Sequence, residues 1–240
     1  MIIKTRGIVL KTTKYSETSL ICKILTEERG LKSYIISGVR KKKGKTSAGL
    51  LQVMSILDLV VYDNQKSNLH RIKELSNHYV YHEVPYDLVK GSIGLFIIEI
   101  VQKTMKGQEE HQALFQFLLD TLCFLDKTSE SPANIHLHFL LEYASHLGFG
   151  PSGVQEPTQK YFHLWDGRFT AVKEDKYSLS EELSQIISEL LHMRLEESHQ
   201  ISLSRETRHM LLRQLLNYFV LHVDNFPDIN AHKILKEVLA

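Results

Sequence analysis

Two hydrophobic periods divide this chain. Up to about residue 80, apolar positions recur in short alternating runs; beyond Pro85 they recur every three to four residues. In the first part, Gly7-Ile-Val-Leu10 is an apolar stretch that follows the alternating Lys4 and Arg6. From Ser19 to Thr26, Leu20, Cys22 and Ile24 alternate against Lys23. Glu28-Arg29-Gly30 reads as a turn and Leu31 to Gly38 as the returning strand of a hairpin. Ile56 to Tyr62 is a β-branched and aromatic run, and Leu69 to Leu75 a fifth strand after the polar turn 63–68. Five short strands in about eighty residues predict a small closed barrel of OB type, because an open sheet of that size leaves edges and one face unprotected.

The second part predicts helices. Val89, Ile93, Phe96, Ile97, Ile100 and Val101 mark one over about 86–105, and Leu114, Phe117, Leu118, Leu122 and Leu125 mark the next over 109–125. A third starts at Ser131-Pro132, with Pro in its first turn, and stops at Gly148. Residues 150–179 read as an irregular insert with a small hairpin around Trp165-Asp166-Gly167-Arg168. Helices follow from Ser180, over 204–222 and over about 230–238; the 204–222 segment places Arg208, Leu211, Leu212, Leu215, Leu216 and Phe219 on one stripe. The expected architecture is therefore α+β: a barrel over 1–80, then an all-α domain over 81–240 with the insert at about 150–179.

Charge changes this picture. The chain as a whole carries +1, but residues 1–80 hold 15 Lys and Arg against 6 Asp and Glu, while residues 81–240 hold 14 against 22. The basic part centres on Arg40, Lys41, Lys42, Lys43 and Lys45, between the third and fourth strands. Clustered cations bind a polyanion by releasing its counterions, so a nucleic acid is the expected partner. Lys4, Arg6, Lys11, Lys14 and Lys32 lie on the strands or their ends, where a barrel would join them to that loop. Tyr15 and Tyr34 are candidates for base stacking. Each feature also has a plainer account: a solvated charged loop, and tyrosines packed in the core. No base-reading motif is present, so phosphate contacts and little sequence preference are expected.

Other chemistries find little support. Thirteen histidines raise the question of a metal, but His136 and His138 stand two residues apart on a helix, and His78 and His82 lack a third ligand at metal spacing. No nucleophile elbow, HExxH, Walker or CxxC pattern occurs. The expectation is no enzyme, no cofactor, no metal and no small-molecule substrate. Two cysteines among apolar neighbours, no apolar run of membrane length and no signal-peptide pattern lead to an expectation of a reducing, cytoplasmic setting and no membrane. Arg205 and Arg208, one turn apart on the 204–222 helix, form a candidate cationic patch for an acidic peptide; ordinary solvated helix charge is the alternative.

Several short segments, in order, resemble the RecO family of bacterial recombination mediators. They are Gly7-Ile-Val-Leu10, Tyr15-Ser-Glu17-Thr-Ser, Thr26-Glu-Glu-Arg-Gly30, Gly38-Val-Arg40-Lys41 and Leu51-Gln52. Leu147-Gly148-Phe149-x-Pro151 and Leu-Leu-Arg213-x-x-Leu-x-Tyr218, with His222 and Lys233-x-Leu235, continue the pattern. The resemblance implies an N-terminal OB domain and a helical domain. It implies binding of single- and double-stranded DNA, annealing of complementary strands, and help with RecR in loading RecA onto DNA coated by the single-strand-binding protein SSB, whose acidic C-terminal tail is a contact. It also implies a nucleoid-associated location. A protein–protein adaptor of a repair complex, with little DNA binding of its own, is the alternative. The chain departs from the family pattern in having no cysteine over 152–179, where many members carry four zinc ligands, and in having Val53 where Pro is usual. Zinc is therefore expected to be absent, with Tyr161, Phe162, Leu164 and Phe169 packing in its place.

Overall fold

A computed structural model describes residues 1–37, 48–62, 68–105, 111–173 and 175–239. Five strands close into a barrel: β1 (Ile2–Lys14), β2 (Ser19–Thr26), β3 (Gly30–Ser37), β4 (Ile56–Tyr62) and β5 (Leu69–Tyr79). β1 pairs antiparallel with both β2 and β4, and β4 with β5. Closure comes from a short parallel pairing of β3 with β5, Tyr34 beside His70. This is the OB-type barrel that the strand pattern predicts.

β1 is longer than its apolar stretch because it serves two neighbours. Residues 2–8 pair with β4 and residues 7–14 with β2. Gly7 lies where both pairings overlap. A Cβ there would stand 2.6 Å from Leu59 Cδ1 and 2.7 Å from Ile24 Cγ2, so a side chain would force the barrel wall apart. A bulge between Val9 and Lys11 adds a residue and resets the alternation. Val9 belongs to the barrel core with Cys22, Ile24, Tyr34, Leu57 and Leu59. Past the bulge, Thr12 Oγ1 donates to the Leu51 carbonyl at 2.6 Å, which ties β1 to the short 3-10 turn Ala48–Leu51.

Residues 1–86 and 97–126 form one compact unit, and 87–96 with 127–240 a second. The helices are α1 (Leu88–Thr104), α2 (Gln112–Lys127), α3 (Ile135–His146), α4 (Glu181–His192), α5 (Arg205–His222) and α6 (Ala231–Val238). The first unit thus takes in most of α2 as well as the barrel. Asp126 fastens it: its buried carboxylate accepts the amides of His82, Glu83 and Val84 at 2.8–3.1 Å and the Tyr79 hydroxyl at 2.8 Å. Burial pushes that carboxyl up, but the amides and the phenol outweigh it and hold it below its ordinary value.

In the second unit, caps set the starts of α4 and α5. Ser180 accepts from the Leu183 amide and Ser204 from the Thr207 amide. α3 begins at Ile135, not at Ser131-Pro132 as the sequence pattern has it. The intervening turn closes with the Ile135 amide on the Pro132 carbonyl at 3.0 Å. The Asn134 side chain does not cap it, because its amide donates to the carbonyls of Ser198 and Ile201 at 2.9 and 2.8 Å. His136 is fully buried, edge-on to Phe96 at 5.9 Å; burial, with the nearby Arg208 and His209, pushes it down to about 3. His138 is also buried, with Nε2 3.0 Å from the Met193 carbonyl. Both histidines are core residues in this fold.

The insert holds a two-stranded hairpin, β6 (Tyr161–His163) and β7 (Arg168–Thr170). Phe162, Leu164 and Phe169 are buried, and Phe162 packs against Phe169 and Tyr218 at 5.2 and 5.9 Å. The donor set does not fit zinc. His163 is the lone imidazole of residues 150–179, no cysteine accompanies it, and both its ring nitrogens face carboxylates, Asp166 at 3.1 Å and Asp175 at 3.2 Å.

Candidate nucleic-acid interface

The cations named from the sequence do not form one surface. Lys4 and Arg6 lie on the part of β1 that pairs with β4, beside a groove that also holds Glu27, Glu28, Asp58 and Glu74. Arg6 forms a fork with Glu27, Nε to Oε2 at 2.8 Å and Nη2 to Oε1 at 2.6 Å. The same Nη2 donates to Gln116 Oε1 at 3.0 Å, and the guanidinium lies 5.4 Å over the Phe115 ring. The Glu27 hydrogen bond raises Arg6 and holds the Glu27 carboxyl below its usual range. Arg6 therefore fastens β1 to α2, and its guanidinium is already engaged within the fold. Lys4 is exposed but lines the same groove as these carboxylates, whose charge opposes a phosphate there.

Tyr34 is likewise engaged within the fold. It is 1% exposed, its ring 5.7 Å from His70 inside the closure seam. No base reaches it. Lys32 is half-buried on β3, opposite Ile24 of β2.

The other end of β1 differs. Lys11 and Lys23 stand directly opposite each other on β1 and β2, both exposed. Lys14 is exposed at the strand end, and Tyr15, 62% exposed, opens the β1–β2 turn. The Tyr15 and Ser16 amides both donate to the Ser19 carbonyl, which fixes the turn. Glu17 is the one carboxylate in the turn. Like charges placed opposite one another on neighbouring strands destabilise the isolated sheet, and a phosphate between them relieves the repulsion. In OB barrels the face of the second and third strands, with the loop after the first, is the surface that takes oligonucleotides. Lys23 was visible in the sequence as a strand cation, but its pairing with Lys11 depends on a register that the β1 bulge sets.

Arg40, Lys41, Lys42, Lys43 and Lys45 lie outside the described residues. The described residues on either side do give the place where that stretch joins the barrel. Ser37 pairs with Ser19, next to the Tyr15 turn, and Leu51 receives the Thr12 hydroxyl. Both attachments are on the Lys11–Tyr15 end of β1.

The helical candidates divide similarly. Arg208 is half-buried, donating to Asn134 Oδ1 at 3.2 Å and the Leu203 carbonyl at 3.1 Å, and burial lowers its affinity for its proton. It holds the α3–α5 junction together. Arg205 is exposed and donates to the Lys236 carbonyl of α6 at 3.2 Å. A groove of about 460 Å³ lies beside them, between α5 and α6. Its apolar floor is Met210, Leu212 and Leu216; Arg213 and Lys236 are its cations, neither of them expected there from the helical stripe, and Glu206 lines it as well. Among the described residues, no helix is long and apolar enough to cross a membrane.

Comparison with known proteins agrees with this architecture. The family model "Recombination protein O N terminal" matches residues 1–80, and "Recombination protein O C terminal" matches residues 85–228. The DNA repair protein RecO of Flavobacterium psychrophilum is 33% identical over 241 residues, covering 100% of both chains. That of Phocaeicola vulgatus is 32% identical over 242 residues, again covering 100% of both. That of Prosthecochloris aestuarii is 25% identical over 260 residues, covering 99% of this chain and 98% of its own. With both halves of the barrel-plus-helices architecture matched and full-length relatives above 30% identity, this chain belongs to the RecO family.

Proposed function

We propose that this chain is a DNA repair mediator that binds DNA without sequence preference at the Lys11–Tyr15 end of its barrel. It anneals complementary strands and, with RecR, helps RecA replace SSB on single-stranded DNA, without turning over a substrate of its own. The observation that carries the reading is the opposed pair Lys11 and Lys23 beside both attachments of the 38–47 stretch. Family membership supports the repair role, since the relatives bear the name DNA repair protein RecO.

The mechanism is electrostatic. Two strands repel through their phosphates, and a cationic surface that contacts both lowers the repulsion and lets base pairing finish the work. The α5–α6 groove supports a second contact, the acidic SSB tail: Arg213 and Lys236 face an apolar floor, which suits carboxylates adjoining an apolar residue. Such a contact holds the mediator where SSB must be displaced.

Fluorescence anisotropy with a labelled oligonucleotide tests the DNA reading. A protein neutralising about six phosphates loses roughly 10³ in affinity between about 50 and 200 mM salt. The variant with Lys41, Lys42, Lys43 and Lys45 changed to Ala should bind about 100-fold more weakly at low salt, with a shallower salt slope and slower annealing. Unchanged affinity and slope overturn the role of the loop. No binding by the wild type at low salt overturns DNA binding altogether and leaves the adaptor reading.

A further inference from the structure

The insert presents an exposed aromatic on a rigid support. Trp165, the only tryptophan in the chain, is 55% exposed on the β6–β7 hairpin. Its ring lies 5.7 Å from Tyr177, tilted by 42°. Tyr177 in turn meets the buried His163 edge-on at 6.2 Å. Asp175 holds both members of that contact, accepting the Tyr177 amide at 2.7 Å and facing His163 Nε2 at 3.2 Å.

The backbone beside Trp165 is equally fixed. The Leu164 amide donates to the Tyr177 carbonyl at 2.9 Å, and the Leu164 carbonyl lies 2.9 Å from His222 Nε2 of α5. The Gly167 amide returns to the His163 carbonyl at 2.9 Å. Gly167 takes φ +64°, and a Cβ there would meet the Tyr218 hydroxyl at 2.6 Å, so the turn tolerates no other residue without movement. An indole held this firmly, yet left open to solvent, is a preorganised surface for a flat ligand.

The surroundings indicate which flat ligand. Lys176 Nζ lies 4.9 Å from the centre of the Tyr177 ring. Arg168 is 66% exposed and stands 3.6 Å from Asp166, and Lys173 is exposed nearby in the chain. Among the described residues, the carboxylates of Asp166 and Asp175 turn toward His163; Glu174 lies outside the described residues. Aromatic rings flanked by flexible cations are how proteins hold unpaired bases, with the ring taking the base and the cation its phosphate. We infer that Trp165, with Tyr177, Lys176 and Arg168, is a second contact for single-stranded DNA, one on which an unpaired base stacks. Duplex bases are already stacked on each other and cannot use it, so this contact favours single strands, whereas the barrel end reads phosphates on either form.

The inference rests on the reading that the chain binds DNA, and the test separates the two. Trp165 is the only source of tryptophan emission, so one titration of the whole chain with labelled oligo(dT) gives anisotropy and quenching together. The expected result is quenching that saturates with the anisotropy, protection of Trp165 from acrylamide, and neither change with a blunt-ended two-strand duplex. Trp165→Ala should weaken oligo(dT) binding about tenfold, with Trp165→Phe recovering most of it. Lys176→Ala and Arg168→Ala, which keep the probe, should move the quenching midpoint to higher DNA concentration. Full anisotropy binding with unaltered, acrylamide-accessible emission overturns the Trp165 contact and leaves DNA binding standing. Absence of anisotropy binding at low salt overturns both.

Discussion

The two ends of β1 carry the same kinds of residue and do opposite things. Lys4 and Arg6 lie where the strand meets β4 and α2, among Glu27, Asp58 and Glu74. Arg6 is consumed there by a carboxylate, an amide side chain and an aromatic face. Lys11 and Lys14, past the bulge, meet another lysine and an open turn. A count of positive charge treats these residues alike. What separates them is whether folding has already neutralised the cation, because only an unneutralised one has electrostatic free energy left to give to a phosphate. In the function proposed above, the end that carries the Arg6 fork builds the protein, and the open end is the part that binds.

The sharpest way to test this division is to remove the fastening on the Arg6 end. Asp126→Ala leaves the buried Val84 amide, two part-buried amides and a phenol without their acceptor, which should cost the barrel unit about 2–4 kcal/mol. Urea unfolding reads it as a lower midpoint at unchanged slope. The pH dependence has a definite sign. The folded Asp126 and Glu27 carboxyls sit below their ordinary values. Their stabilisation is therefore present above the unfolded carboxyl pKa, about 4, and is lost as pH falls from there through the lowered folded values. Asp126→Asn should flatten this acid limb. A limb as steep as that of the wild type would show that other groups produce it.

Much of the architecture was legible because it rests on local periodicity. The β2 and β4 runs are bounded by turn residues and coincide with the observed strands, and the helices read from Ser180 and from the 204–222 stripe are present as α4 and α5. What stayed hidden depends on contacts distant in sequence. Arg6 looks like any strand cation until Glu27, 21 positions on, and Gln116, 110 positions on, close around it. Tyr34 and Tyr15 are equivalent as letters; the parallel β3–β5 seam buries one, and the turn exposes the other. Arg208 lies on the apolar stripe of its helix, but periodicity does not reveal that Asn134 lies across from it as a partner. The α5–α6 groove was invisible for a related reason, since its cations come from two helices whose pairing no periodicity reports.

Arg6 supplies a smaller but cleaner discrimination. Arg6→Ala should destabilise the barrel unit by about 1–2 kcal/mol, through the lost fork and the lost contact with Phe115. A double-mutant cycle with Glu27→Ala should return about 1 kcal/mol of coupling. DNA affinity and its salt slope, measured where the variant is fully folded, should stay as in the wild type. If Arg6 contacts a phosphate, the slope falls by nearly 1 and the division of β1 fails.

The smallest effects belong to Lys11 and Lys23, and their signs are the most telling. Either Lys→Ala change removes a phosphate contact, so each should weaken DNA binding about three- to fivefold and lower the salt slope by nearly 1. Each also removes a like-charge opposition across β1 and β2, so the unliganded protein should gain a few tenths of a kcal/mol at low salt. That gain should fade as added salt shortens the screening length below the separation of the two ammonium groups. A residue that helps the fold loses stability when removed, as predicted for Arg6. A residue kept for a polyanion loses binding while the free protein becomes slightly more stable. The Lys11→Ala/Lys23→Ala double variant should therefore bind more weakly than either single change and be no less stable than wild type; a loss of stability would place the open end among the fastenings of the barrel.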